Sequence, residues 1–143
     1  MTLSKDPHPS NADFPHGSCN DAHAFGENNT GCGWITTADE KTYYIEPNAN
    51  LKTTSLAGEN LTGVDLTGAN LTDTNLSDAN LSNANLTKVY LNCAILRGVN
   101  LTGANMTRVW RQAIPSCSES INSSTICPNG KPWGIGGGGN CPF

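Results

Sequence analysis

The chain is poor in charge and in aromatic side chains. Of its 143 residues, 14% are charged and 6% aromatic, which excludes a core built on packed rings and leaves it to smaller side chains. It has no apolar run long enough for a membrane-spanning helix. It also lacks a basic stripe, so sequence-independent nucleic-acid binding has no electrostatic footprint. No Ser/His/acid order, no carboxylate pair on a rigid element and no closed metal motif can be traced. The reading is therefore of a non-enzymatic chain with no cofactor and no catalytic residues.

The net charge of −4 is unevenly spread. Residues 1–48 hold Asp6, Asp13, Asp21, Glu27, Asp39, Glu40 and Glu46 against Lys5 and Lys41. Residues 49–108 balance Glu59, Asp65, Asp73 and Asp78 with Lys52, Lys88, Arg97 and Arg108. Three segments follow: an irregular acidic N-terminal segment and cap (1–48), a repeat (49–108), and a C-terminal cap with a Gly-rich tail (109–143). Met1 to Asn11, rich in Pro and Ser, predicts disorder.

What the chain has in abundance is leucine at a fixed interval. Leu51, Leu56, Leu61, Leu66, Leu71, Leu76, Leu81, Leu86, Leu91, Leu96, Leu101 and Met106 recur every fifth position, in blocks such as Ala69-Asn70-Leu71-Thr72-Asp73. A period of five matches neither a helix nor a strand. Twelve blocks at one period predict a solenoid of stacked units. The blocks resemble the A-(D/N)-L-x-x consensus of pentapeptide repeat proteins.

That resemblance implies an all-β fold, a right-handed quadrilateral β-helix with four blocks per coil and about three coils. Residues twenty apart then stand above one another, as Leu51, Leu71 and Leu91 would. The residue two before each centre also points inward and must be small, as Ala69, Thr74, Ala79 and Val89 are. Glu59 departs from this rule, and its carboxylate is expected to escape toward the N-terminal cap or find a partner there, because an unpaired buried charge is costly. The other three positions of each block are expected to face water. Threonine rows such as Thr67, Thr87 and Thr107 admit an ice-binding reading. Rows only three deep, broken among the faces by Lys88 and Arg97, read instead as ordinary turn chemistry. The Asn-Leu-Thr/Ser sequons likewise come with the repeat.

A strand stack has open ends that need covers. Trp34, Tyr43, Tyr44 and Ile45 are assigned to the N-terminal end; Trp110, Ile114, Ile121, Ile126 and Trp133 are the candidates at the other. The period stops at Arg111, and Val109 to Ile114 reads as one helical turn or an irregular lid before Pro115. Cys127-Pro128-Asn129-Gly130 predicts a turn. The Gly134–Gly139 run lacks the Lys-Ser/Thr and helix of a phosphate loop.

Cys19, Cys32, Cys93, Cys117, Cys127 and Cys141 are an even set in a small chain, which reads as a disulfide framework in an oxidising compartment. Met1 to Pro9 has no apolar signal region. The two readings agree if a signal peptide has been removed, so export to a periplasm, a thylakoid lumen or the extracellular space is expected. The Cys-Pro-Asn-Gly segment and the last cysteine resemble the tails of exported pentapeptide repeat proteins, common in cyanobacteria. Six cysteines allow fifteen pairings; Cys19–Cys32, Cys93–Cys117 and Cys127–Cys141 are the set expected. His16, Cys19 and His23 with Cys32 superficially resemble a metal cluster, but no second closely spaced pair completes it.

The expected function is a structural or protein-binding module, with a protein partner possible, no nucleic-acid partner and no membrane span. The alternative suggested by the resemblance is a DNA-mimicking topoisomerase inhibitor. Three coils at ~4.8 Å spacing span only about 10 Å between outer layers, and a repeat of zero net charge makes a poor phosphate mimic. A metal protein built on His16, Cys19 and His23 is the weaker alternative.

Overall fold

The computed structural model describes residues 31–109 and 124–131. From Glu46 onward the backbone runs through one five-residue cycle: a bridged residue, an inward centre, two turn residues and a second inward residue. Each turn closes on itself. The amide of Val64 donates to Leu61 O at 3.1 Å, and Ala69 N–H to Leu66 O at 2.9 Å. The second turn residue has φ between 55 and 73° in every block. This is the demand of a type II turn, and it explains why Gly, Asp and Asn dominate that position.

Successive blocks cannot pair with each other, because each ends in a turn. They pair with the block four further on. Parallel bridges join residues twenty apart in four columns: Asn50–Asn70–Tyr90, Ser55–Asn75–Ile95, Asn60–Asn80–Asn100 and Asp65–Asn85–Asn105. Within a column the amides alternate direction, with Leu51 N–H donating to Asn70 O and Asn70 N–H to Ala49 O, both at 2.9 Å. The product is a β-helix with no α-helix among the described residues.

The interior is the predicted leucine column set. All twelve centres are at most 4% exposed, and Val64, Ala69, Thr74, Ala79, Ala84, Val89, Ala94 and Val99 close the gaps between them. Thr74 is the one polar member of that inner set; its hydroxyl donates to Leu51 O at 2.7 Å, so its burial leaves no unmet donor. Glu59 is half-buried rather than enclosed, as is Thr54 one block earlier. The water-facing expectation for the other three positions needs correction. Most residues before and after the central ones, among them Asn75, Ser77, Asn85 and Ile95, are half-buried, because each lies against its neighbours in the column.

The N-terminal cover is an antiparallel hairpin of β1 (Gly33–Thr36) and β2 (Thr42–Ile45), with Trp34 opposite Tyr44. Their rings meet edge-on at 4.9 Å between centroids, a favourable aromatic geometry. Ile45 is fully buried in the core and Ile35 and Tyr43 pack against it. Gly31 docks the start of this cap: its carbonyl accepts the Asp65 amide at 2.6 Å. A Cβ at Gly31 would stand 3.0 Å from Asp65 N and Gly63 O, backbone atoms that cannot give way cheaply, and its φ is +75°.

At the other end, Thr125–Gly130 joins the ladder out of register. Ile126 bridges Asn100, twenty-six residues away instead of twenty. Leu101 N–H donates to Ile126 O and Ile126 N–H to Val99 O, both at 2.8 Å. Cys127 stands where a leucine would and Thr125 where the small residue would, both buried. Ile126 takes the outward, half-buried position, so the inward cover here comes from Thr125 and Cys127. The predicted turn follows: Gly130 N–H donates to Cys127 O at 2.8 Å and Cys127 N–H to Lys131 O at 2.8 Å, which turns the chain back. Trp110, Ile114, Ile121 and Trp133 lie outside the described residues.

Candidate functional site

Among the described residues the polar faces are the extended surface that the fold builds, so their chemistry bears on what it can do. Where an asparagine precedes the centre, it is committed to its own turn. Asn85 Oδ1 accepts the Thr87 amide at 3.2 Å and its hydroxyl at 2.7 Å. Asn75 with Ser77, Asn100 with Thr102 and Asn105 with Thr107 repeat the arrangement. These are Asx-turns. They account for the Thr or Ser after most of the centres, whose hydroxyl completes a local bond at Thr62, Thr67, Ser77, Thr87, Thr102 and Thr107, while Lys52, Ala57, Asn92 and Arg97 take that place elsewhere. Such rows are rigid and hydrogen-bonded rather than reactive.

Two features break the uniformity. In the hairpin turn, the Thr37 hydroxyl donates to the Asp39 carboxylate, with Lys41 Nζ 3.4 Å away. The hydroxyl bond, followed by the lysine, holds the Asp39 carboxyl below its ordinary value although the group is exposed. The second feature is the turn position. Around the Ser55 and Asn60 columns it holds Gly58, Asp78 and Gly98, then Gly63, Asn83 and Gly103. Around the Asn50–Asn70–Tyr90 face it also holds Thr53, Lys88, Cys93 and Arg108, which are poorly suited to positive φ.

Of the cysteines, Cys32 and Cys127 are buried and Cys93 is half-buried. Each of the three is in a disulfide, and no cysteine is free among the described residues. Cys19, Cys117 and Cys141 lie outside the described residues, and with them the second member of every expected pair. His16 and His23 lie outside them too. Among the described residues no group of three His, Cys, Asp or Glu could hold a metal. Among the described residues no helix is long and apolar enough to cross a membrane.

The five-residue cycle and its twenty-residue register define a pentapeptide repeat β-helix. The family model for pentapeptide repeats matches in eight copies over residues 48–83 and 69–108, and this segment of the chain belongs to that family. Among solved structures, the chain is similar to HetL, a pentapeptide repeat protein involved in heterocyst differentiation regulation from the cyanobacterium Nostoc sp. strain PCC 7120. The two are 30% identical with a TM-score of 0.52, over 60% of this chain and 37% of HetL. A pentapeptide repeat protein of the Arabidopsis thaliana thylakoid lumen is 33% identical with a TM-score of 0.46, over 47% of this chain and 46% of that one. Rfr23 of Cyanothece 51142 is 30% identical with a TM-score of 0.29, over 55% and 60%. The chain thus spans well under half the length of HetL. A search of curated proteins returns no match.

Proposed function

We propose that the chain is a non-enzymatic, exported protein-binding module. In this reading it is a right-handed quadrilateral β-helix of three coils, stapled at its caps by Cys19–Cys32, Cys93–Cys117 and Cys127–Cys141. The observation that carries it is the Asx-turn array: the Asn and Thr/Ser groups of the faces are spent on their own turns, which leaves stiff, patterned surfaces rather than a reactive centre. Stiffness favours recognition, because little side-chain entropy is lost on binding. HetL is involved in heterocyst differentiation regulation, a kind of role that a binding module can serve. The disulfides of Cys32, Cys93 and Cys127 support an oxidising compartment.

Two measurements test this. Non-reducing peptide mapping is expected to return the three pairs named; a Cys19 link to a C-terminal cysteine would overturn the scheme. A DNA supercoiling assay is expected to be unaffected by micromolar protein. Inhibition there would replace this reading with the DNA-mimic alternative.

A further inference from the structure

Lys88 and Arg108 occupy consecutive levels of one corner, in the column Asn48, Gly68, Lys88, Arg108. Lys88 N–H donates to Thr107 O at 2.9 Å, so their Cα atoms are about 5 Å apart. Both hold the left-handed conformation, at φ 58 and 59°, which strains most residues with a side chain. Like charges stacked at this spacing also repel. Both side chains are exposed, and neither forms a salt bridge among the described residues. A glycine or asparagine at either position would relieve strain and repulsion together, as at Gly63, Asn83 and Gly103.

Two residues after Lys88 comes Tyr90, at 43% the one exposed large hydrophobic side chain among the described residues. The column itself holds no acid. Of the acids among the described residues, Asp65 lies two levels below Arg108 in the adjoining column and Asp73 at the far edge of the Tyr90 face. A cationic corner beside an exposed ring therefore stands on a chain whose net charge is −4. Breaches of local preference that cluster on one face mark a surface under another constraint.

We infer that the Lys88–Arg108 corner and Tyr90 form a docking surface for an acidic segment of a partner protein. The Arg108 guanidinium takes a carboxylate through two parallel N–H bonds. Lys88 supplies a second positive point charge, and the Tyr90 ring receives an apolar side chain between the acids. Charge complementarity selects this occupant. Two cations on a corner neutralise too few phosphates to hold a nucleic acid at physiological salt. The inference rests on the protein-binding reading and specifies its partner; its failure would leave the disulfide and supercoiling tests of that reading untouched.

The test uses the full, oxidised chain with two fluorescein-labelled probes of equal length, a Glu-rich peptide with one central Leu and a single-stranded oligodeoxynucleotide. The peptide is expected to bind, with NMR amide shifts centred on Lys88, Tyr90 and Arg108. Its affinity should fall at least tenfold in the Lys88→Glu/Arg108→Glu variant. Lys88→Gly and Arg108→Gly should melt higher than the parent yet bind the peptide more weakly. Binding unchanged in the charge-reversed variant, shifts centred on another face, or tighter binding of the oligonucleotide would each overturn the inference. Glycine variants that are no more stable would remove its strain argument and overturn it equally.

Discussion

At the scale of single residues, the fold is governed by what each place in the block tolerates. Thr53 is the plainest misfit, a β-branched residue at φ 61° with its side chain exposed. Thr53→Gly should raise stability by about 1 kcal/mol, since the relief of the left-handed conformation outweighs the added freedom of the unfolded chain. Thermal or denaturant melts of the two proteins check this. Asp39 makes a pH prediction. Its carboxyl is held down by the Thr37 hydroxyl first and by Lys41 after it. A group with a depressed folded value contributes stability above its unfolded value and loses it as pH falls through the folded one. Amide exchange in the Thr37–Lys41 turn should therefore quicken as the solution is acidified through the lower carboxylate range. Thr37→Val should bring the Asp39 titration, followed by NMR, back toward the ordinary value.

At the scale of elements, the two ends are covered by different devices. The hairpin covers the lower end through Ile45, Ile35 and Tyr43, anchored at Gly31. The upper end, at the Leu101 face, is covered by a strand that arrives six residues late. Its register is keyed by Thr125, whose hydroxyl donates to Leu96 O as that of Thr74 does to Leu51 O. Thr125→Val keeps the shape and removes the donor, at a cost of about 1 kcal/mol. Hydrogen exchange should quicken at the Leu101 and Gly103 amides, which donate to Ile126 and Pro128. The Asn80 amide, bound to Glu59 O lower in the same column, should keep its protection, and Thr125→Ser should restore the upper pair. Equal acceleration at Asn80 would show that Thr125 acts on the whole stack instead.

At the scale of the whole molecule, a stack of this size has few interfaces, and only the middle-level leucines lie between two other leucine levels. Leu76, fully buried in the middle level, should cost about 3–5 kcal/mol when cut to Ala. Leu51, at the lower end, should cost less, because one side of it meets only the cap. Urea melts that rank the two the other way would contradict a stack stabilised mainly by its middle.

The leucine period determined the solenoid and its inward columns, and the apolar stretches ahead of it determined the residues of its lower cap. A five-residue interval admits few regular backbones, and Trp34, Tyr43, Tyr44 and Ile45 lie in the only apolar stretches ahead of the repeat. The turn at Cys127–Gly130 was legible for a similar reason, since Pro-Asn-Gly encodes its own geometry. What tertiary structure decided is pairing at a distance. Thr125 and Cys127 take inward places because a displaced strand found the open Leu101 edge, and a twenty-six-residue register leaves no periodic trace. The start of the cycle at Glu46 was hidden as well, because a glutamate stands in a leucine position there. The Lys88–Arg108 corner was hidden by distance along the chain. Along the chain the two cations are twenty residues apart, and only the coil sets one upon the other beside Tyr90.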